Sequence, residues 1–206
     1  MMSYLDILNK SCNHIIDINN SKTEYLNEKS VQMKIAFDLW KTLGIEPKLE
    51  NCFDYEAENK LYTDIFLKDV SVKIGIEIKF KTKKTGGLNY INQGAQTNGK
   101  LNCLRDIERL LELKKDRKIN IGYFIFLTND YLYWKKGNKT KSNYNSYKFS
   151  LEDSKEIIKF NEQPNWPSRT HNDKINLSEI KTKKISWIGK DYGKNKCSFR
   201  FFIIEI

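Results

Sequence analysis

Histidine and cysteine are both scarce in this 206-residue chain, which contains two of the former and four of the latter. The cysteines are scattered, with no Cys-x-x-Cys or Cys-x-x-His pair of the kind that clips a zinc ion. We therefore expect reduced thiols and exclude a histidine-rich zinc or iron site.

Long apolar runs and internal repeats are also absent. No stretch approaches the length that a membrane-spanning helix needs. The N-terminal MMSYLDILNKSCNHII mixes acidic, basic and amide residues into its apolar ones, unlike the compact apolar centre of a signal peptide. We expect a cytoplasmic protein with no membrane partner, folded as a single domain over residues 1–206.

Basic residues outnumber acidic ones by 36 to 26, which gives a net charge of +10. Such an excess suits a polyanionic partner, because neutralising phosphates releases condensed counterions. Lysine, asparagine and isoleucine are frequent throughout, however, so a compositional bias of the source explains part of the excess. The charge favours nucleic acid only slightly.

Hydrophobic periodicity predicts helices at about residues 3–17, 30–43 and 100–117, the last one after a Gly- and Asn-rich loop at 83–99. Ser30 is the predicted N-cap of the second helix and Gly44 its C-terminal stop. A further short helix is predicted at 151–160. The buried stripes of the three longer helices are predicted to include Leu5, Ile7, Leu8, Ile15, Ile16, Val31, Ile35, Leu39, Trp40, Leu101, Leu104, Ile107 and Leu111.

Strands are predicted at about 46–56, 61–67, 72–80 and 121–127, and in the terminal SFRFFIIEI. The run at 121–127 is apolar on both faces, as in a buried central strand. Strand 72–80, helix 100–117 and strand 121–127 form a β-α-β unit, which joins parallel strands. The predicted fold class is α/β, with a mixed central sheet covered by helices.

Three charged side chains are predicted to converge on this sheet. Asp64 lies on the second strand, and Glu77 follows 13 residues later on the third, two positions before Lys79. Residues at i and i+2 of a strand share a face. Asp64 interrupts an apolar row, since Tyr62 and Phe66 share its face, and a buried carboxylate needs a partner or a metal.

Such a cluster suits phosphodiester hydrolysis. Asp64, Glu77 and the backbone carbonyl of Ile78 supply the hard oxygen ligands that Mg²⁺ prefers. The metal polarises the phosphate and lowers the pKa of a bound water, while Lys79 orients or deprotonates that water or offsets transition-state charge. The plainer alternatives are a solvated strand face for Glu77 and Lys79, and a turn or cap for Thr63-Asp64.

The arrangement resembles the core of the PD-(D/E)xK (restriction-endonuclease-like) nuclease superfamily over about residues 28–130, with 131–206 as a C-terminal extension. Thr63-Asp64 stands in place of Pro-Asp. The segments IEIKFKT, NQGAQ, DIERL, FLTNDYLYW and FRFFIIEI are also similar to an uncharacterised bacterial group within it. The resemblance implies a three-layer α/β/α core. It also implies that the protein uses Mg²⁺ or Mn²⁺, with no small-molecule cofactor, and cuts DNA to leave a 5′-phosphate. The implied biological role is restriction or phage defence.

The resemblance also adds candidate site residues. Glu28 matches a glutamate that many members carry on the preceding helix, with Gln32 one turn on. Gln93 and Gln96, in NQGAQ, are candidates to position the metal-bound water or a phosphate, with a loop or cap amide as the alternative. Asp130 follows the buried strand and is expected to cap a turn, with a functional role as the alternative.

Nucleic-acid contacts are predicted beside this centre. The residues proposed to grip phosphates or stack on bases are Lys81, Lys83, Lys84, Lys100, Tyr131, Tyr133 and Trp134. A solvated loop is the alternative for the lysines, and a place in the core is the alternative for the aromatic residues. The rival functions are a nucleic-acid-binding module without cleavage and a protein-assembly module that keeps the fold. A homodimer, the target sequence, the choice between DNA and RNA, and endo- versus exonucleolytic action all stay open.

Overall fold

The structure is a computed structural model that describes residues 2–21, 26–53, 61–84, 96–135, 150–156, 184–189 and 198–206. Within these ranges no helix combines the length and apolarity needed to cross a bilayer. The elements in chain order are α1 (Tyr4–Asn20), α2 (Glu28–Leu43), β1 (Lys48–Cys52), β2 (Tyr62–Lys68), β3 (Lys73–Lys81), α3 (Gln96–Lys115), β4 (Ile121–Thr128) and β5 (Arg200–Glu205).

The five strands form one mixed sheet in the order β1-β2-β3-β4-β5. Neighbours β1, β2 and β3 are antiparallel, β3 and β4 are parallel, and β4 and β5 are antiparallel. The predicted mixed α/β fold is therefore confirmed, including the parallel pair on either side of α3.

Alternation along β3 separates two apolar cores. Ile74, Ile76, Ile78 and Phe80 are buried on one face against α1 and α2. The opposite face carries α3, which packs on aromatic side chains of β4 and β5 such as Phe124. Helices thus cover both faces, and Glu77 and Lys79 point to the face that α3 covers.

Two predictions for α2 were wrong, one about its N-cap and one about its buried face. Asn27, not Ser30, is the N-cap, and its Oδ1 accepts a hydrogen bond from the Ser30 backbone N–H at 2.8 Å. Both residue types cap helices well, so the sequence alone did not separate them. Trp40 was wrongly placed in the buried stripe and is 52% exposed, because one residue beyond Leu39 the helix has turned away from the core.

Two other predicted boundaries were wrong. Residues 96–99 belong to the start of α3, not to the preceding loop. The short helix predicted at 151–160 is not formed over the described residues 151–156. These residues make a turn and a β-bridge between Glu156 and Lys184, so backbone pairing across the chain replaces the local helix. Gly44 does end α2, with φ of 70°, as predicted.

Candidate active site

The candidate site lies where β2 and β3 separate. Their pairing runs from Lys68↔Lys73 to Ile65↔Ile76, after which β2 stays paired with β1 only. At this point Asp64 Oδ2 accepts a hydrogen bond from the Ile78 backbone N–H at 2.7 Å. A side chain therefore replaces the backbone acceptor that the neighbouring strand no longer supplies.

Glu28 also accepts a hydrogen bond from a backbone N–H of β3, two residues further along the strand. It is the first residue of α2, and its Oε2 accepts a hydrogen bond from the Phe80 backbone N–H at 3.0 Å. In an extended strand the N–H and C=O of one residue point to the same side. The Ile78 carbonyl therefore faces the same gap as the carboxylates of Asp64 and Glu28.

Glu77 is buried beneath α3. Its Oε2 accepts a hydrogen bond from Arg109 Nη2 at 2.6 Å, whereas its buried Oε1 has no hydrogen-bond partner among the described residues. Burial raises the pKa of Glu77 to about 8; Arg109 acts in the opposite direction, and the nearby Asp64 and Asp106 raise it further. One buried oxygen of Glu77 is therefore available to a further ligand.

Asp64 lies on the same face of the sheet as Glu77. Phe66, two residues along β2, belongs to the core beneath α3, and Glu77 contacts Arg109 of that helix. Burial raises the pKa of Asp64 to about 6, although the Ile78 N–H lowers it. Glu50 and Glu28 raise this pKa further and Lys79 lowers it. The two carboxylates therefore share one face of the sheet and interact electrostatically, and burial of both disfavours their negatively charged forms.

Lys79 is held by an acid that the sequence did not assign to the site. Its Nζ lies 2.8 Å from Asp106 Oδ2, and Asp106 Oδ1 accepts a hydrogen bond from Arg109 Nη2 at 3.0 Å. Burial lowers the pKa of Lys79, but Asp106 outweighs this effect and the net shift is upward. The lysine is therefore a charged ammonium at neutral pH.

Asp106 and Arg109 are three residues apart on α3, a spacing that predicts a pair within the helix and no contact with the sheet. That pair exists, but both side chains also reach β3 and join its two charged residues. The signal that could have identified Asp106 is its spacing. It lies three residues after Cys103 and four before Leu110, on the buried stripe of α3, where an unpaired carboxylate is costly.

A second polar cluster supports the backbone at Asp64. Gln32 is buried, and its Nε2 donates to the Asp64 carbonyl and to Glu50 Oε1, the latter at 2.8 Å. Glu50 also pairs with Lys29 and has a φ of 50°. This left-handed conformation is uncommon for a residue other than glycine. Gln32, proposed from the resemblance, thus contacts the site through the backbone, and Glu50 was missed.

Of the three remaining candidates, Gln93, Gln96 and Asp130, the structure describes the side chain of Asp130 alone. Gln93 lies outside the described residues, and Gln96 is the first residue of α3, with its side chain also outside the description. Asp130 caps a turn as expected, since its Oδ1 accepts a hydrogen bond from the Leu132 N–H at 3.2 Å. It also lies 3.8 Å from Lys83 Nζ.

The oxygen atoms at this site provide some of the ligands that a hard divalent cation needs. Among the described residues, no three side chains of His, Cys, Asp or Glu cluster as ligands for a metal ion. Two carboxylates and the Ile78 carbonyl remain, and Mg²⁺ commonly uses one or two carboxylates while keeping several waters. The Glu77 Oε1 atom, which has no hydrogen-bond partner among the described residues, suits a role as a Mg²⁺ ligand, because a buried carboxylate oxygen needs a compensating group.

The raised pKa of Asp64 predicts a pH-dependent effect of Asp64→Asn. The amide keeps an acceptor for the Ile78 N–H and removes the charge. A carboxyl group whose pKa rises from about 3.9 unfolded to about 6 folded destabilises the fold progressively as pH rises through that window. In EDTA, the variant should lie within about 0.5 kcal/mol of wild type at pH 4 and exceed it by about 2–3 kcal/mol at pH 7.5, which corresponds to a Tm roughly 4–12 °C higher. A Tm difference that does not vary with pH would contradict this electrostatic origin.

Comparison with known proteins gives no relative to guide interpretation. No family model, curated protein or solved structure matches this chain. A function must therefore be argued from the geometry of Asp64, Glu77 and Lys79 and from their neighbours on α2 and α3.

Proposed function

We propose that this chain is a Mg²⁺-dependent deoxyribonuclease of the PD-(D/E)xK type, built on a three-layer restriction-endonuclease-like core. The observation that carries the proposal is the convergence of Asp64, Glu77 and Lys79 where β2 and β3 separate. A role in restriction or phage defence rests on the resemblance alone.

The carboxylates would provide the metal site. Asp64, the Oε1 atom of Glu77 and the carbonyl of Ile78 would hold Mg²⁺, with Mn²⁺ as a substitute. When bound, the metal polarises the scissile phosphate and lowers the pKa of a coordinated water. Burial of Glu77 keeps competing water away from its carboxylate, so a cation replaces little existing solvation there.

Lys79 would supply the second contribution. Its ammonium group is fixed by Asp106 and has a raised pKa. A permanently protonated lysine is better suited to orienting the attacking water and stabilising negative charge on the phosphate than to removing a proton. Lys79 would therefore orient the water and stabilise charge on the phosphate, and it would not act as a base.

A group of cations and aromatic rings at the carboxyl end of β4 supports a nucleic-acid substrate. Lys83 and Lys135 lie 5.0 and 5.8 Å from the ring centre of Tyr131, and Arg200 lies 5.2 Å from the ring centre of Trp134. We call these five residues the basic-aromatic edge. Such sites combine phosphate attraction with flat surfaces for bases.

Tyr133, also proposed from the sequence to stack on bases, does not belong to that edge. It is 2% exposed and packs edge-on against Phe126, with ring centres 4.9 Å apart. Its ring is therefore part of the core, which is the alternative to base stacking.

A binding module without catalysis is the second candidate, and one observation favours it. Arg109 already pairs with Glu77, and Asp106 already pairs with Lys79, so the charges are partly balanced without a metal ion. Under this alternative the four residues would form a structural network, and the protein would bind DNA without cleaving it.

Plasmid cleavage separates the two candidates. Wild type should nick supercoiled DNA in Mg²⁺ or Mn²⁺ and lose activity in EDTA. We expect Glu77→Gln and Lys79→Ala to be at least about 100-fold slower, because one removes a metal ligand and the other a charge-stabilising group. Lys68→Ala, which removes an exposed lysine from the end of β2, is the matched control and should cleave at the wild-type rate. Equal nicking by all four proteins would reject the nuclease.

The basic-aromatic edge should contribute to DNA affinity. In a Glu77→Gln background, which prevents turnover, Lys83→Ala/Lys135→Ala should bind duplex DNA more weakly. The slope of log affinity against log salt should fall by about 2, as expected for two lost phosphate contacts. Lys10→Ala/Lys41→Ala changes two exposed lysines on α1 and α2 and is the charge-matched control. Equal losses in both double variants would show that only net charge matters.

A further inference from the structure

We infer that Asp106 of α3 is a positioning residue for the proposed reaction, one that fixes the ammonium group of Lys79 beside the metal site. The inference rests on the proposed nuclease function and deepens it. It adds to the centre an acid from the helix that covers the sheet.

The contacts form a continuous chain between helix and strand. Lys79 Nζ lies 2.8 Å from one oxygen of Asp106, and Arg109 Nη2 donates to the other oxygen at 3.0 Å. The same Arg109 atom donates to Glu77 Oε2 at 2.6 Å. Glu77 and Lys79 leave β3 on one face, and Asp106 and Arg109 leave α3 one turn apart, so two pairs with matched spacing face each other.

Asp106 has little freedom to do anything else. Its side chain is only 8% exposed; Oδ1 accepts a hydrogen bond from Arg109, and Oδ2 forms an ion pair with Lys79 Nζ without hydrogen-bond geometry. It is therefore poorly placed to contact DNA or a metal ion itself. Its effect on the reaction would pass through Lys79.

The effect matters because a lysine side chain is long and flexible. Holding its ammonium group in one place costs side-chain entropy, which a desolvated ion pair offsets better than an exposed one. In Asp106→Asn the amide can accept a hydrogen bond but loses the charge that holds the ammonium group. Displacement of a catalytic group by about 1 Å can slow a reaction by about 100-fold.

The test compares Asp106→Asn and Asp106→Glu with Glu112→Gln, which removes an exposed acid from the same helix. We expect Asp106→Asn to lower kcat by about 100-fold while the Mg²⁺ concentration for half-maximal cleavage changes by less than about threefold. Asp106→Glu, which restores the charge, should recover part of the loss. Glu112→Gln should behave as wild type.

A second measurement follows Lys79 without DNA or metal. Brief acetylation with acetic anhydride, followed by mass spectrometry, should modify Lys79 faster in Asp106→Asn than in wild type. Lys68 and Lys73 serve as internal controls and should react equally in both proteins. Unchanged Lys79 modification would overturn the inference, because Asp106 would then not restrain the ammonium group.

The outcomes separate this inference from the proposed function. If wild type cleaves DNA and Asp106→Asn cleaves equally well, the positioning role is wrong and the nuclease stands. If wild type itself does not cleave, the nuclease is wrong and the positioning role falls with it. If Asp106→Asn loses activity only in proportion to a large fall in Tm, and Asp106→Glu gives no rescue, Asp106 is structural and the inference is overturned.

Discussion

The hydrogen bond from the Ile78 N–H to the Asp64 carboxylate is the interaction on which the rest of the site depends. It lies where the pairing of β2 with β3 ends, and it satisfies the Ile78 N–H that β2 no longer pairs with. Without that separation, the backbone groups of β3 would be used in the sheet, and no gap would exist beside Glu77. The same hydrogen bond fixes where the Asp64 carboxylate points, so the geometry of the sheet and the chemistry of the site share one cause.

Charge burial is the second constraint. Glu77, Lys79, Asp106 and Arg109 are all wholly or partly removed from water, and the charged form of each would be unfavourable alone. Their mutual pairing offsets part of that unfavourable energy, but it leaves Glu77 Oε1 unpartnered and the pKa values of Glu77 and Asp64 raised. The arrangement thus keeps one buried carboxylate oxygen without a hydrogen-bond partner among the described residues.

Local patterns in the sequence predicted most of the fold and the centre of the candidate site. Alternation placed Glu77 and Lys79 on one face, and the apolar row around Asp64 marked that carboxylate as unusual. The patterns could not predict that Arg109 and Asp106 reach across to β3, because this depends on how α3 docks on the sheet. The strained Glu50 and the choice of Asn27 over Ser30 as N-cap were missed for the same reason, since both depend on tertiary packing or on small differences between similar residues.

Direct titration with Mn²⁺ tests the central claim most closely, because it needs neither DNA nor turnover. Isothermal calorimetry of the metal-free protein should detect one divalent ion per chain in wild type. Glu77→Gln should show no binding at the same concentrations, and Lys68→Ala should match wild type. Equal binding by wild type and Glu77→Gln, or none by wild type, would contradict a metal site between Asp64 and Glu77.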